Sequence, residues 1–153
     1  MLRIEKVFKL FNPGTPDEKT ALTGIQLHLN PGDFVTVIGS NGAGKSTLMN
    51  IISGTMKPDQ GQVHIEGKSV GHLPEYKRSR WIGRVFQDPM AGTAPRMTIE
   101  ENLAMAYMRG KTRGLRFGVT GNKRSMFREQ LKRLGIGLED RLRAKVGMLS
   151  GGE

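Results

Sequence analysis

The 153-residue chain contains no cysteine, so disulfides, thiolate metal sites and thiol nucleophiles are excluded. No apolar run approaches the roughly 18–20 residues of a membrane span; the longest, residues 34–38, has the length of a single strand. The first ten residues alternate charged and apolar positions and lack the continuous apolar stretch of a secretory signal, which predicts the cytosol. Acidic residues are scarce: 14 Asp and Glu face 24 Lys and Arg, a net charge of +10. That imbalance suits a partner with phosphate groups, whether nucleic acid, an anionic lipid surface or a phosphorylated ligand. The basic excess sits mainly in residues 109–128 and 132–145, where Phe117 and Phe127 are the only aromatics. A row of base-stacking side chains is therefore not evident there, and nucleic acid is disfavoured as the partner.

What is present suits a soluble globular chain of about one domain, with 37% hydrophobic and 25% charged residues. Residues 3–11 alternate as a strand, and residues 12–18 (Asn-Pro-Gly-Thr-Pro-Asp-Glu) carry enough turn formers to predict an exposed loop. Ile25, Leu27 and Leu29 alternate with Gln26 and His28, a second strand. Phe34-Val35-Thr36-Val37-Ile38 is β-branched and almost wholly apolar, which predicts a strand buried on both faces. Residues 44–53 read as a helix, with Gly54 where a C-cap belongs and Pro58 soon after. Residues 63–66 and 82–86 read as further short strands.

Beyond Gln87 the texture becomes helical. Thr98-Ile99-Glu100-Glu101 is a capping-box signature for a helix to about residue 109. Met126, Phe127, Gln130, Leu131 and Leu134 stand at helical spacing in a second helix, with a basic, glycine-rich connection over residues 110–121, expected to be mobile. The organisation predicted is a mixed α/β half, residues 1–88, and a helical half, residues 89–149, followed by the start of another helix at residues 150–153.

The chemistry is carried by Gly39-Ser40-Asn41-Gly42-Ala43-Gly44-Lys45-Ser46-Thr47, a P-loop pattern with an apolar strand before it and an amphipathic helix after it. Glycines let the backbone curl so that successive N–H groups converge on phosphate oxygens, and the helix N-terminus adds partial positive charge. Lys45 would reach the β- and γ-phosphates, and the Ser46 hydroxyl would be a Mg²⁺ ligand. A P-loop alone does not separate kinases, GTPases and transport ATPases. Two further features do. Gln87 closes the strand Val85-Phe86-Gln87 some forty residues on, and Leu149-Ser150-Gly151-Gly152-Glu153 has capping-box spacing with two glycines that leave the first N–H groups unshielded.

In this order the motifs resemble the ATP-binding subunit of ABC transporters, through nearly all of the chain. The resemblance makes residues 39–47 the Walker A loop, Gln87 the Q-loop glutamine and a Mg²⁺ ligand, and Leu149–Glu153 the signature motif. It implies a P-loop NTPase core of mixed sheet with an inserted helical subdomain. Phe11 takes the place of the aromatic that stacks on adenine. It further implies ATP and Mg²⁺ as cofactors, a head-to-tail dimer in which the signature reads nucleotide held by a second ATPase subunit, and a permease that keeps the subunit on the inner face of the membrane. Loops at residues 12–18 and 87–95 are similar to those of bacterial importers, the amino-acid type in particular, which adds a substrate-binding protein as a partner.

The family continues past its signature with a Walker B strand ending in a Mg²⁺-liganding Asp, a catalytic Glu and a switch His. None of these is found by residue 153, since His28, His64 and His72 all precede the signature. The chain therefore reads as the N-terminal part of a longer ATPase, inactive alone, with apolar surface exposed at Val35, Val37 and Val85 for want of neighbouring strands. Two alternatives stay open: a soluble ABC-type ATPase working on nucleic acid or ribosomes, and a nucleotide-binding module without turnover.

Overall fold

A computed structural model describes residues 1–111, 114 and 117–150. The chain divides into two compact units, Met1–Ile82 and Gly83–Glu153. In the first, strands β1 (Leu2–Phe11), β2 (Lys19–Leu29), β3 (Gln60–Ile65) and β4 (Lys68–Ser69) form an antiparallel sheet in the order β2-β1-β3-β4. Helix α1 (Lys45–Ser53) lies on it, and the short α2 (Glu75–Arg78) follows β4. The turn-rich residues 12–18 form the exposed hairpin loop that their composition predicts.

Leu48 and Ile51 of α1 are buried with Ile4, Val7, Leu22, Val63, Ile65 and Val70. Each such side chain contributes about 1.5–3 kcal/mol on burial, so the helix is held to the sheet by its apolar stripe. Its last turn is completed from two sides. Gly54, at φ 89°, returns its N–H to the carbonyl of Asn50 at 3.0 Å. Arg78 then donates through Nη1 to the carbonyls of Ile51 (2.7 Å) and Ile52 (3.0 Å), through Nε to Leu73 (2.9 Å) and through Nη2 to Gly71 (3.1 Å). The side chain is 0% exposed. Burial pushes the guanidinium down from its ordinary value, yet arginine stays protonated in proteins, so a full positive charge neutralises the negative end of the α1 dipole.

Two of the expected strands do not form. Residues 34–38 and 82–86 have no ladder partner among the described residues. Phe34 is 94% exposed, Ile38 88% and Val85 96%. Apolar residues on both faces show that a segment is suited to the middle of a sheet. A strand exists only where a neighbour takes its N–H and C=O groups. Val35 and Val37 are exposed as well, as expected for strands without neighbours.

The second unit is helical. Helix α3 (Ile99–Tyr107) opens with the predicted capping box: the Glu101 N–H donates to Thr98 Oγ1 at 3.3 Å, and Glu101 Oε2 accepts the Thr98 N–H at 2.7 Å. Helix α4 (Gly121–Lys132) packs Phe127 and Leu131 against Ile99, Ala104, Leu138 and Leu142. The basic connection predicted at residues 110–121 includes residues 112, 113, 115 and 116, which lie outside the described residues. No described helix is long and apolar enough to cross a membrane.

Arg124 of α4 grips Glu100 of α3 with two bonds, Nε to Oε2 at 2.6 Å and Nη2 to Oε1 at 2.9 Å. The bond from Arg124 holds the Glu100 carboxyl below its usual value. A folded-state value lowered in this way contributes stability that is present above the unfolded value, about 4.3 for glutamate, and is lost as the pH falls through the folded one. Acid unfolding should therefore be less steep in Glu100→Gln than in the native sequence. Superimposable acid limbs in circular dichroism would contradict a role for this pair.

Candidate nucleotide site

The glycine-rich loop follows the unpaired segment 34–38 and enters α1 at Lys45. The Ala43 N–H donates to the Ser40 carbonyl at 3.2 Å, which curls the loop. Gly44 occupies the N-cap at φ 87°, a left-handed conformation. A β-carbon there would stand 2.4 Å from the Ala21 carbonyl oxygen and 2.9 Å from Leu22 Cδ2. Glycine is therefore required both by the backbone angle and by the approach of β2. The Lys45 ammonium folds over the loop and donates to the carbonyls of Gly39 (2.7 Å) and Ser40 (2.8 Å), using two of its three donors.

The electrostatics of the α1 N-terminus fit an anion. No side chain caps it and its first turn holds no acidic residue, so its leading N–H groups and the positive end of its dipole are left for a ligand. Helix α3 is the contrast, because Thr98 and Glu101 satisfy and neutralise its own start. Ser46 is exposed in the first turn of α1. Main-chain donors, an ammonium and a hydroxyl on an uncapped helix start are the donor set that a nucleotide polyphosphate with Mg²⁺ requires.

The other expected site residues fall in both units. Phe11 ends β1, half-buried, with Lys9 Nζ 5.8 Å from its ring centroid; it pairs across the hairpin with Lys19 of β2. The first unit thus holds Phe11 and the P-loop, with β2 running past Gly44. Gln87 belongs to the second unit and is exposed; the next residue, Asp88, accepts the Met90 N–H at 2.9 Å and starts a 3-10 turn, Pro89–Gly92. Leu149 packs against the helical core and Ser150 is exposed. Gly151, Gly152 and Glu153 lie outside the described residues.

Residues that composition and spacing do not single out also shape these units. Arg78 fixes the far end of the P-loop helix but reads in sequence as one of several charges in Tyr76-Lys77-Arg78-Ser79-Arg80. Asn102 donates through Nδ2 to the carbonyls of Ala94 (3.1 Å) and Thr98 (2.9 Å) and accepts the Ala94 N–H (2.8 Å), which closes the entry to α3. A polar residue on an amphipathic helix gives no advance sign of that role.

A glycine-rich loop feeding an uncapped helix, laid on an antiparallel sheet and followed by a helical unit, defines a P-loop nucleotide-binding protein of α/β class. Residues 22–153 match the ABC transporter family, and the chain belongs to that family. It is 39% identical over 153 residues to a tyrosine transport ATP-binding protein of Clostridioides difficile (strain R20291), covering 100% of this chain and 61% of that protein. It is 34% identical over 157 residues to the lipoprotein-releasing system ATP-binding protein LolD of Alcanivorax borkumensis, covering 100% of this chain and 64% of that one. A dimeric, post-hydrolysis ATP-binding cassette bound to ADP and Pi superposes with a TM-score of 0.79 at 30% identity, covering 99% of this chain and 64% of that chain. The chain thus spans a little over three-fifths of the length of these relatives, and the match to solved cassettes bears out the P-loop NTPase class of fold.

Proposed function

We propose that the chain binds ATP through residues 39–47 and forms the nucleotide-binding and signature portion of an ABC transporter ATPase. The observation that carries this is the uncapped, acid-free start of α1 behind a curled glycine loop, with the Lys45 ammonium lying over it. Phe11 would face the adenine. Ser46 would hold Mg²⁺, which would supply neutralisation of the phosphate charge. Ser150, Gly151 and Gly152, with Leu149 and Glu153 beside them, would cap nucleotide held by a second subunit. The dimeric cassette among the solved relatives supports the pairing of two such subunits. Residues 1–88 act as the nucleotide-binding core and residues 89–149 as the helical subdomain that meets a permease, so that the subunit works at the inner face of the membrane. The similarity to the Clostridioides difficile tyrosine transport protein favours an amino-acid cargo; import, with a substrate-binding protein upstream of the permease, is the direction that the importer-like loops at residues 12–18 and 87–95 favour.

Turnover on this reading needs a catalytic carboxylate and a switch histidine from outside the 153 residues. The experiment is Mg²⁺-dependent ATP hydrolysis by the chain as it stands, beside the chain continued to the length of its relatives. Turnover is expected in the continued chain and only a trace in the shorter one. Comparable rates would refute this division of roles.

A further inference from the structure

Strand β2 brings a second ammonium to the P-loop. A β-carbon on Gly42 would stand 3.2 Å from Lys19 Nζ, which puts that ammonium directly against the loop's fourth residue. The placement follows from the sheet rather than from a flexible stem alone. Lys19 is directly opposite Phe11 in the β1–β2 ladder, and directly opposed residues share one face of a sheet. Two residues further along β2, the Ala21 carbonyl reaches the position a β-carbon on Gly44 would fill, at 2.4 Å, and Leu22 does so at 2.9 Å. The strand therefore lies across the P-loop at two points, with Lys19 at the first. Among the described residues no carboxylate or carbonyl is paired with the Lys19 ammonium. Lys9 of β1 is by contrast bound to Asp59 at 2.7 Å.

We propose that Lys19 is a further ligand-binding residue of the nucleotide site, contacting the diphosphate portion of the bound nucleotide from the side that carries Phe11. Lys45 enters from the helix side and Lys19 from the sheet side, so the two ammonium groups approach the same polyphosphate by different routes. An unpaired cation beside main-chain N–H donors has no partner of its own to give up, and its charge-assisted bonds to phosphate oxygens add directly to affinity. Because it stands opposite Phe11 across the β1–β2 ladder, Lys19 serves oxygens that ADP and ATP share. This rests on the P-loop reading above.

The test is calorimetric titration of the chain with Mg-ADP and Mg-ATP, and with adenosine and pyrophosphate as the separate halves of ADP. It compares the native sequence with Lys19→Met, Lys19→Arg and Lys45→Ala. Lys19→Met keeps the length of the stem at an exposed position, and equal thermal midpoints establish that the fold is intact. The expected result is a loss of about tenfold for ADP, ATP and pyrophosphate, with adenosine unchanged and Lys19→Arg restoring most of the affinity. Affinities within twofold of native in Lys19→Met, while Lys45→Ala loses binding, would overturn the proposal and leave the P-loop reading standing. A loss that extends to adenosine and is not restored by arginine would also overturn it, since that marks a role in the strand. If the native chain ignores every phosphate ligand, both readings fall together.

Discussion

Replacing Lys45 with alanine is expected to abolish measurable nucleotide binding. The substitution removes the ammonium that lies over the loop at 2.7 and 2.8 Å from the Gly39 and Ser40 carbonyls, and with it the strongest positive charge at the start of α1. Charge-assisted bonds to phosphate are among the strongest a side chain makes, and losing two of them lowers affinity by roughly a hundredfold or more. Stability should hardly change. The two carbonyls belong to an exposed loop where water replaces the lost donors, and the buried side of α1 is supplied by Leu48 and Ile51. Displacement of a fluorescent nucleotide analogue measures the first effect and a thermal melt the second. Unchanged affinity would reduce residues 39–47 to a glycine-rich turn.

The largest effect on stability is expected at Arg78. Its guanidinium is wholly buried and serves four carbonyls, those of Ile51, Ile52, Gly71 and Leu73. Methionine in its place fills much of the volume but leaves four acceptors without this donor, that of Ile51 buried and those of Ile52, Gly71 and Leu73 part-buried. Each unmet acceptor costs about 1–3 kcal/mol, so a total of roughly 3 kcal/mol or more is expected even with partial relaxation. For a unit of this size that is a fall of roughly 12 °C or more in melting temperature. Gly54→Ala gives an independent probe, because a β-carbon there stands 2.7 Å from Arg78 Nε at a backbone φ of 89°. It should destabilise the same region while leaving the guanidinium in the chain. If Arg78→Met melts with the native protein, the four bonds contribute nothing and the anchoring of α1 must lie elsewhere.

The legible parts of this chain are those whose cause is local. The capping box at Thr98 and Glu101, the turn-rich hairpin loop and the glycine that ends α1 each depend on neighbours within a few residues, and each forms where the sequence places it. Residues 34–38 and 82–86 mark the opposite case. Their apolar patterns are those of buried strands, but pairing is a relation between segments and cannot be read from one of them. Lengths also shift for tertiary reasons: β2 begins at Lys19 rather than near Ile25 because β1 extends far enough to pair with it.

The candidate site divides the same way. The P-loop is legible because phosphate binding demands a fixed spacing of glycine, lysine and hydroxyl. Lys19 is not, because its reach to Gly42 depends on the register of β1 against β2. Arg78 is hidden for a similar reason. A buried arginine and a surface arginine have the same letter, and only the convergence of the carbonyls of residues 51, 52, 71 and 73 on one guanidinium distinguishes them.

The enclosure of a polyphosphate by residues 39–47 is tested most directly by titrating the folded native chain with Mg-ATP and Mg-ADP in a calorimeter. The account predicts saturable heat from both ligands at one site per chain. A sample that shows native circular dichroism and a cooperative melt, yet gives no heat with either nucleotide, would contradict it.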